Sequence, residues 1–233
     1  IGYWEDQQML TDQQKQFPNY AKIQPLYEVE DLQIGATKIF ESAEDKYDFV
    51  TVVTNPNKRH VAVVRFSYQT SRGETNVKEE MILPNTKRPI AVLGYESKTP
   101  PSGARFLQES VRWQRIDPHK IFDPALYMDS RMKFTVANVS FTPASRITGL
   151  PTNRIEFDLV NASTFNFWEA PFYIETLSGT TQSGLFFITL EALKAGETRH
   201  VDIRSLSDLN VTQVVAHPLL NVFDRNVFMP VEI

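Results

Sequence analysis

The sequence contains no cysteine. That excludes disulfide frameworks, thiolate nucleophiles, zinc ribbons and iron–sulfur clusters together, and it suits a bacterial extracytoplasmic protein that avoids stray oxidation. Glycine is scarce, nine in 233 residues, and neither a P-loop nor a G-x-G-x-x-G or G-x-S-x-G pattern occurs. Loops that cradle phosphate through closely approaching backbone are therefore poorly supplied. No apolar run in the sequence approaches the roughly 18 residues of a spanning helix. An excess of positive charge is also missing. Lys and Arg total 24 against 28 Asp and Glu, for a net charge of −4 and a pI near 5.6, which argues against a dedicated nucleic-acid surface. What is present is ordinary globular composition, 42% hydrophobic and 22% charged, at a length that fits one or two domains.

Residues 1–28 differ in texture from the rest. They are Gln-rich and lack strand alternation, and Met9, Leu10 and Phe17 are spaced for a short helix before Pro18. Two readings fit the opening Ile1-Gly2-Tyr3-Trp4: the aromatic fringe of a transmembrane helix lying upstream, or a tail that packs Trp4 on a neighbouring domain. We take this region as a stalk or juxtamembrane segment.

From residue 29 onward the pattern is β. Phe49-Val50-Thr51-Val52-Val53-Thr54 is dense in β-branched and aromatic types, and Val61 to Tyr68 alternates with period two. Further strands are expected at Leu32–Phe40, Thr75–Leu83, Arg88–Tyr95 and Phe106–Arg115, separated by turn chemistry at Asn55-Pro56-Asn57, Arg72-Gly73, Pro84-Asn85 and Pro100-Pro101-Ser102-Gly103. Frequent strands without long amphipathic helices between them argue for sandwiches and against a parallel βαβ sheet.

The order then returns. Asn55 through Gly73 aligns without a gap on Asn161 through Gly179, matching Asn55 with Asn161, Phe66 with Phe172, Thr70 with Thr176 and Gly73 with Gly179. Near the ends, Phe122-Asp123 with Met128 parallels Phe223-Asp224 with Met229. The repeat implies two tandem domains, residues 29–125 and 126–233, each of a size that can hold its own core. The boundary is expected at Phe122–Ser130, where Pro124 interrupts pairing and Asp129-Ser130 opens the next strand. No Gly/Ser linker separates the copies, so a fairly fixed angle is expected between them.

The Asn55-Pro56-Asn57 corner has a local physical meaning. Proline pushes the preceding residue out of the α region and has no N–H for a ladder, so the strand ends there, and the Asn side chains cap freed backbone groups. In the second copy Asn161-Ala162-Ser163 loses the proline and keeps the first Asn. An apolar strand ending in Asn-Pro-Asn, then Val61–Tyr68 and a Gly-containing hairpin, resembles the immunoglobulin-like sandwiches of the WHy/LEA14 and FxLyD type, as carried by membrane-anchored bacterial surface proteins. The resemblance covers residues 30–115, and reaches 130–233 only through the internal repeat. It implies an extracytoplasmic β-sandwich without catalytic residues.

Chemistry-bearing patterns are few. The four histidines, His60, His119, His200 and His217, form no H-x-H, H-E-x-x-H or H-x₃-H spacing. Glu41, Glu44, Asp45 and Asp48 cluster in one loop with hard oxygen ligands of the kind calcium takes. The D-x-D-x-D-G order is missing and Lys46 sits inside the cluster, which favours a solvated hairpin tip. Glu28, Glu30 and Asp31 form a second acidic patch with the same reading, and Glu79-Glu80 is expected to discourage edge-to-edge pairing.

Aromatics crowd the second copy: Phe165, Phe167, Trp168, Phe172, Tyr173, Phe186 and Phe187. In a strand the consecutive pairs Phe167-Trp168 and Phe186-Phe187 must point to opposite faces, so one of each pair leaves the domain's core. It covers the junction between domains, the favoured reading, or forms an exposed patch. Trp113 and Phe122 are further junction candidates.

The expectation is thus an all-β protein, two tandem immunoglobulin-like sandwiches behind an N-terminal stalk. It is expected to be a non-enzymatic, extracytoplasmic structural or protein-interaction ectodomain with no catalytic, cofactor or metal residues. Its partners would be other proteins, including copies of itself joined through sheet edges, with the tail Val227 to Ile233 as a donor strand. Membrane association would come only through an anchor upstream of Ile1. Two alternatives stay open: a module whose second-copy aromatics line a cleft for an apolar ligand, and an accessory domain of a larger enzyme.

Overall fold

Period-two alternation in the sequence becomes strand in the structure almost wherever it occurs. The computed structural model describes residues 28–145, 149 and 151–230. The expected helix and aromatic fringe of the first 28 residues, Glu28 apart, lie outside that range. In the first half, β1 (Gln33–Ala43), β2 (Lys46–Asn55) and β6 (Thr86–Glu96) form one sheet in the order β1-β2-β6. In the second sheet, β3 (His60–Thr70) is flanked on one side by β4 (Gly73–Glu74) and β5 (Lys78–Ile82), and on the other by β7 (Arg105–Arg115).

The second half repeats this pairing. Its strands β8 (Phe134–Thr142), β9 (Asn153–Asn161) and β12 (Thr198–Ser205) form one sheet, in the order β12-β9-β8. The other sheet runs β11-β10-β13, from β10 (Phe167–Ser178), β11 (Thr181–Leu193) and β13 (Gln213–Pro218). All the pairings are antiparallel. With β4 and β5 counted as one interrupted strand, each half joins its first, second and fifth strands in one sheet. The third, fourth and sixth form the other.

Each half buries the alternate side chains of its strands. Phe49, Val53, Phe66, Tyr68, Ile82 and Ile90 form the first core, with the Phe49 and Tyr68 rings stacked 5.4 Å apart. Ile155, Phe157, Leu159, Phe167, Phe172 and Ile174 form the second, where β9 alternates strictly between buried and half-buried positions. Burial of this apolar surface, at about 25 cal/mol per Å², is the main favourable term holding the sheets together.

One local expectation is corrected. Residues 124–131 are not the opening of a strand but a helix, α1 (Pro124–Arg131), and β8 begins only at Phe134. Asp123 accepts from the Ala125 and Leu126 N–H groups, and Pro124 in the first turn has no N–H left orphaned. Asp-Pro is therefore a helix-start signal here, and not only an interruption of pairing. Asp224 makes the same kind of cap on the 3-10 turn Arg225–Val227. Of the tail Val227 to Ile233, expected as a donor strand for assembly, Phe228 and Met229 are tied to their own half, and residues 231–233 lie outside the described range. Phe228 bridges to Phe167 and packs on Phe165, and the Met229 N–H donates to the Asn166 carbonyl.

Candidate functional site

The two corners predicted from Asn55 and Asn161 are built alike. Asn55 is fully buried at the end of β2, and its amide group donates to the carbonyls of His60, Ile82 and Leu83 at 2.7–3.2 Å. Its carbonyl oxygen accepts from the Asn57 N–H and the Asn57 side-chain amide, both at 3.0 Å. Asn161, fully buried at the end of β9, donates to the carbonyls of Phe165 and Lys194 and accepts from the Ser163 N–H and hydroxyl. In each corner one buried Asn side chain ties the strand end to neighbouring backbone carbonyls and to the turn that follows, which makes it structural.

The feature with the chemistry of a site lies where the halves meet. β2 buries both of its faces: Tyr47, Phe49 and Val53 point into the first core, and Val50 points outward. Val50 and Ala91 pack there on Tyr173 and Leu185, outward residues of β10 and β11, with Phe40, Leu93 and Leu219 around them. Val61, Leu83 and Ile116 of the first half join the second half's apolar cluster directly. Hydrogen bonds among the described residues cross the junction from the Tyr173 hydroxyl to Glu80 Oε1 at 2.6 Å and from the Ser207 hydroxyl to the Ser42 carbonyl at 3.0 Å.

Glu80 is the centre of this junction, a role that edge protection does not describe. It lies on β5 with its side chain 13% exposed, beside Arg88, whose side chain is 9% exposed, and the two pair at 3.2 Å. Arg88 also donates to the Met81 carbonyl, and the Ala91 N–H points at Glu80 Oε1. Burial pushes the Glu80 carboxyl up and pulls the Arg88 guanidinium down, and each one's charge works against the other's shift. The Tyr173 phenol is raised by burial and then by the Glu80 charge, so it stays a neutral donor. Apart from the ion-pair contact, Glu80 Oε2 has no hydrogen-bond partner among the described residues, and Arg88 Nη1 has none. An adjacent Glu-Glu pair at the edge of a sheet gives no sequence signal that one member turns inward.

Above this pair opens a cleft of about 500 Å³, lined by apolar Met81, Ala91, Leu93, Pro171, Phe187 and Leu219, with Tyr173 beside them. Phe187 and Tyr173 meet edge to face, their ring centres 6.0 Å apart. The aromatic pairs divide as period two requires: Phe167 is fully buried and Trp168 half exposed, while Phe186 packs in the core and Phe187 faces the cleft. The other junction candidates fail. Trp113 packs on the first core, and Phe122 is 88% exposed.

The acidic loop closes the β1–β2 hairpin, with Asp45 in the left-handed region at φ 58°. Glu41, Glu44 and Asp48 line a second cleft of about 520 Å³ together with residues 206–209. Asp48 is occupied, accepting from the Ser42 hydroxyl and the Gly94 N–H, and burial raises its carboxyl above the ordinary range. Among the described residues no three His, Asp or Glu side chains converge as a metal site. His200 is bracketed by Asp158 at 3.0 Å and Glu156 at 3.4 Å on the exposed face of β9 and β12, and His217 pairs with Glu175 at 2.7 Å. His60 starts β3 and His119 lies in an exposed turn. Set against known proteins, the chain matches no family profile and no curated sequence.

Proposed function

We propose that residues 29–125 and 126–233 are two copies of one immunoglobulin-like β-sandwich. On this reading the chain is a non-catalytic structural or protein-interaction ectodomain, held outside the cytoplasm by a membrane anchor upstream of Ile1. The observation that carries this is the clasped junction. Outward faces of β2 and β6 lie against β10 and β11, reinforced by the Tyr173–Glu80 hydrogen bond. Such a junction favours a fixed angle, which suits a spacer or assembly subunit better than two mobile beads. The common strand order of the halves and the shared Asn corner support duplication. Long outer strands such as β7, paired only with β3 among the described residues, offer edges for other proteins.

The test uses the whole protein with its upstream segment in intact cells. External protease should remove this region, and photo-crosslinkers placed along β7 should capture specific protein neighbours. A chain that stays protected in intact cells yet is cut after lysis overturns the extracytoplasmic reading. The cleft beside Glu80 and Phe187 favours a second reading, an apolar-ligand module, because its size and mixed lining are those of small-molecule sites.

A further inference from the structure

The sheet edges differ in how evenly they present their backbone. Among the described residues, the ladders of β1, β7, β8 and β11 carry register shifts, β6 holds Pro89, β13 ends on Pro218, and β4 and β5 are short pieces. In β12, Thr198 to Ser205 pair with Val160 to Asn153 in one unbroken register, with no proline or glycine. The Asn161 N–H donates to the Glu197 carbonyl, so by antiparallel alternation the odd-numbered residues of β12 bond to β9. The backbone groups of Thr198, His200, Asp202 and Arg204 therefore point away from the sheet, at exposed positions, and meet no partner among the described residues.

The charges along this edge are incomplete in one copy. Across the β9–β12 ladder Asp202 lies opposite Glu156 and Arg204 opposite Arg154, so like charges face each other directly, which is unfavourable. Arg154 relieves this in part by reaching Glu156 at 3.0 Å and Asp202 at 2.9 Å. Arg204 stays 67% exposed, 3.7 Å from the same Asp202 carboxylate. The remaining charges of the strand are matched within the chain, His200 with Asp158 at 3.0 Å and Arg199 with Glu197 at 2.6 Å. Two copies of β12 laid antiparallel about a two-fold axis at Ile203 bring Asp202 opposite the partner's Arg204, and Arg204 opposite the partner's Asp202. Each row across the four strands then reads Glu156, Asp202, the partner's Arg204, the partner's Arg154. Two acids meet two bases, and His200 falls opposite the partner's uncharged Leu206.

We propose, resting on the reading of this chain as an assembly subunit, that two copies join through β12, fusing their β12-β9-β8 sheets into one continuous sheet. The main-chain bonds of the outward-facing groups hold the copies together, and the Asp202–Arg204 pairs select the register.

The experiment is sedimentation equilibrium on the intact chain, the variants Asp202→Arg and Arg204→Asp, and the equimolar mixture of the two variants. A contact below about 1,000 Å² should give a wild-type dimer with a Kd on the order of 100 μM. Each single variant sets like charges opposite at both pairs and should associate about tenfold more weakly. In the mixture the arginines of one variant face the aspartates of the other, so association should return to within about threefold of wild type. Circular dichroism checks that both variants keep their strands. Amide exchange at His200, Asp202 and Arg204 should slow as the wild-type concentration rises. A mixture without rescue, a single variant that associates like wild type, or a dimer whose three amides exchange unslowed overturns the proposal. A monomer at every concentration also removes the pairing, but it leaves the ectodomain reading standing, because that reading falls only to the protease experiment.

Discussion

The two Asn corners solve one problem with different residues. In the first, Asn57 supplies a backbone N–H and a side-chain amide to Asn55; in the second, Ser163 supplies an N–H and a hydroxyl to Asn161. The first Asn is what both share, because only a side chain with donors and an acceptor can hold carbonyls on one side and the turn on the other. The proline differs for a reason visible in the second half. Ala162 donates its N–H to the Lys133 carbonyl at 2.7 Å, and a proline there would have none to give. What looks in sequence like a decayed motif is a corner that has taken on a tie to the segment before β8.

The halves also differ in what they bring to the junction, a buried ion pair from the first and an aromatic face from the second. That contrast yields the largest expected effect. Glu80→Leu alone should cost about 3–5 kcal/mol in urea unfolding, because it strands the Arg88 charge. Adding Arg88→Met should recover most of that loss. A double variant no better than the single would show that the pair is not the source of the cost.

The equivalence of the corners is broken most directly by Asn55→Ala and Asn161→Ala. Each removes at least two hydrogen bonds to backbone carbonyls and the bonds that the side-chain oxygen accepts, and should cost about 3 kcal/mol, roughly equally in the two halves. A loss confined to one half, read from denaturation midpoints, would end the claim that they do the same job. Smaller and opposite in kind are the proline exchanges. Ala162→Pro should destabilise by about 1–2 kcal/mol through the lost bond to Lys133, whereas Pro56→Ala should change stability by under about 1 kcal/mol. Equal effects would remove the explanation for the missing proline.

The smallest effect is a pH response confined to the second half. The hydrogen bond to Asp158 is the first cause that raises the His200 imidazole above its ordinary value. A group raised on folding favours the fold fully below its unfolded pKa of about 6.5, and the contribution fades as pH climbs through the higher folded value. Ring-carbon NMR should place His200 above His60, whose imidazole burial pulls down, and Asp158→Asn should lower His200. No change in that variant would show that Asp158 is not the cause.

Much of the strand pattern was legible. Alternation at Phe49–Thr54 and Val61–Tyr68 marked β2 and β3, and the opposite facing of Phe186 and Phe187 followed from period two. The helix after Asp123 was missed because an Asp-Pro pair both stops a strand and starts a helix, and the following eight residues carry too weak an apolar pattern to decide between them. The candidate site was almost wholly illegible. Glu80 reads as an edge charge until Arg88 and Tyr173 are brought beside it by the packing of the sheets.

Local residue chemistry was enough to set an all-β chain, its turns and the capping role of Asn55 and Asn161, because these depend on backbone preference and neighbours a few residues away. Only the tertiary structure decided which outward faces meet, where Glu80 and Arg88 are buried together, and that a cleft opens beside Phe187. Those outcomes depend on surfaces packing across about a hundred residues of chain, a distance over which no local preference acts.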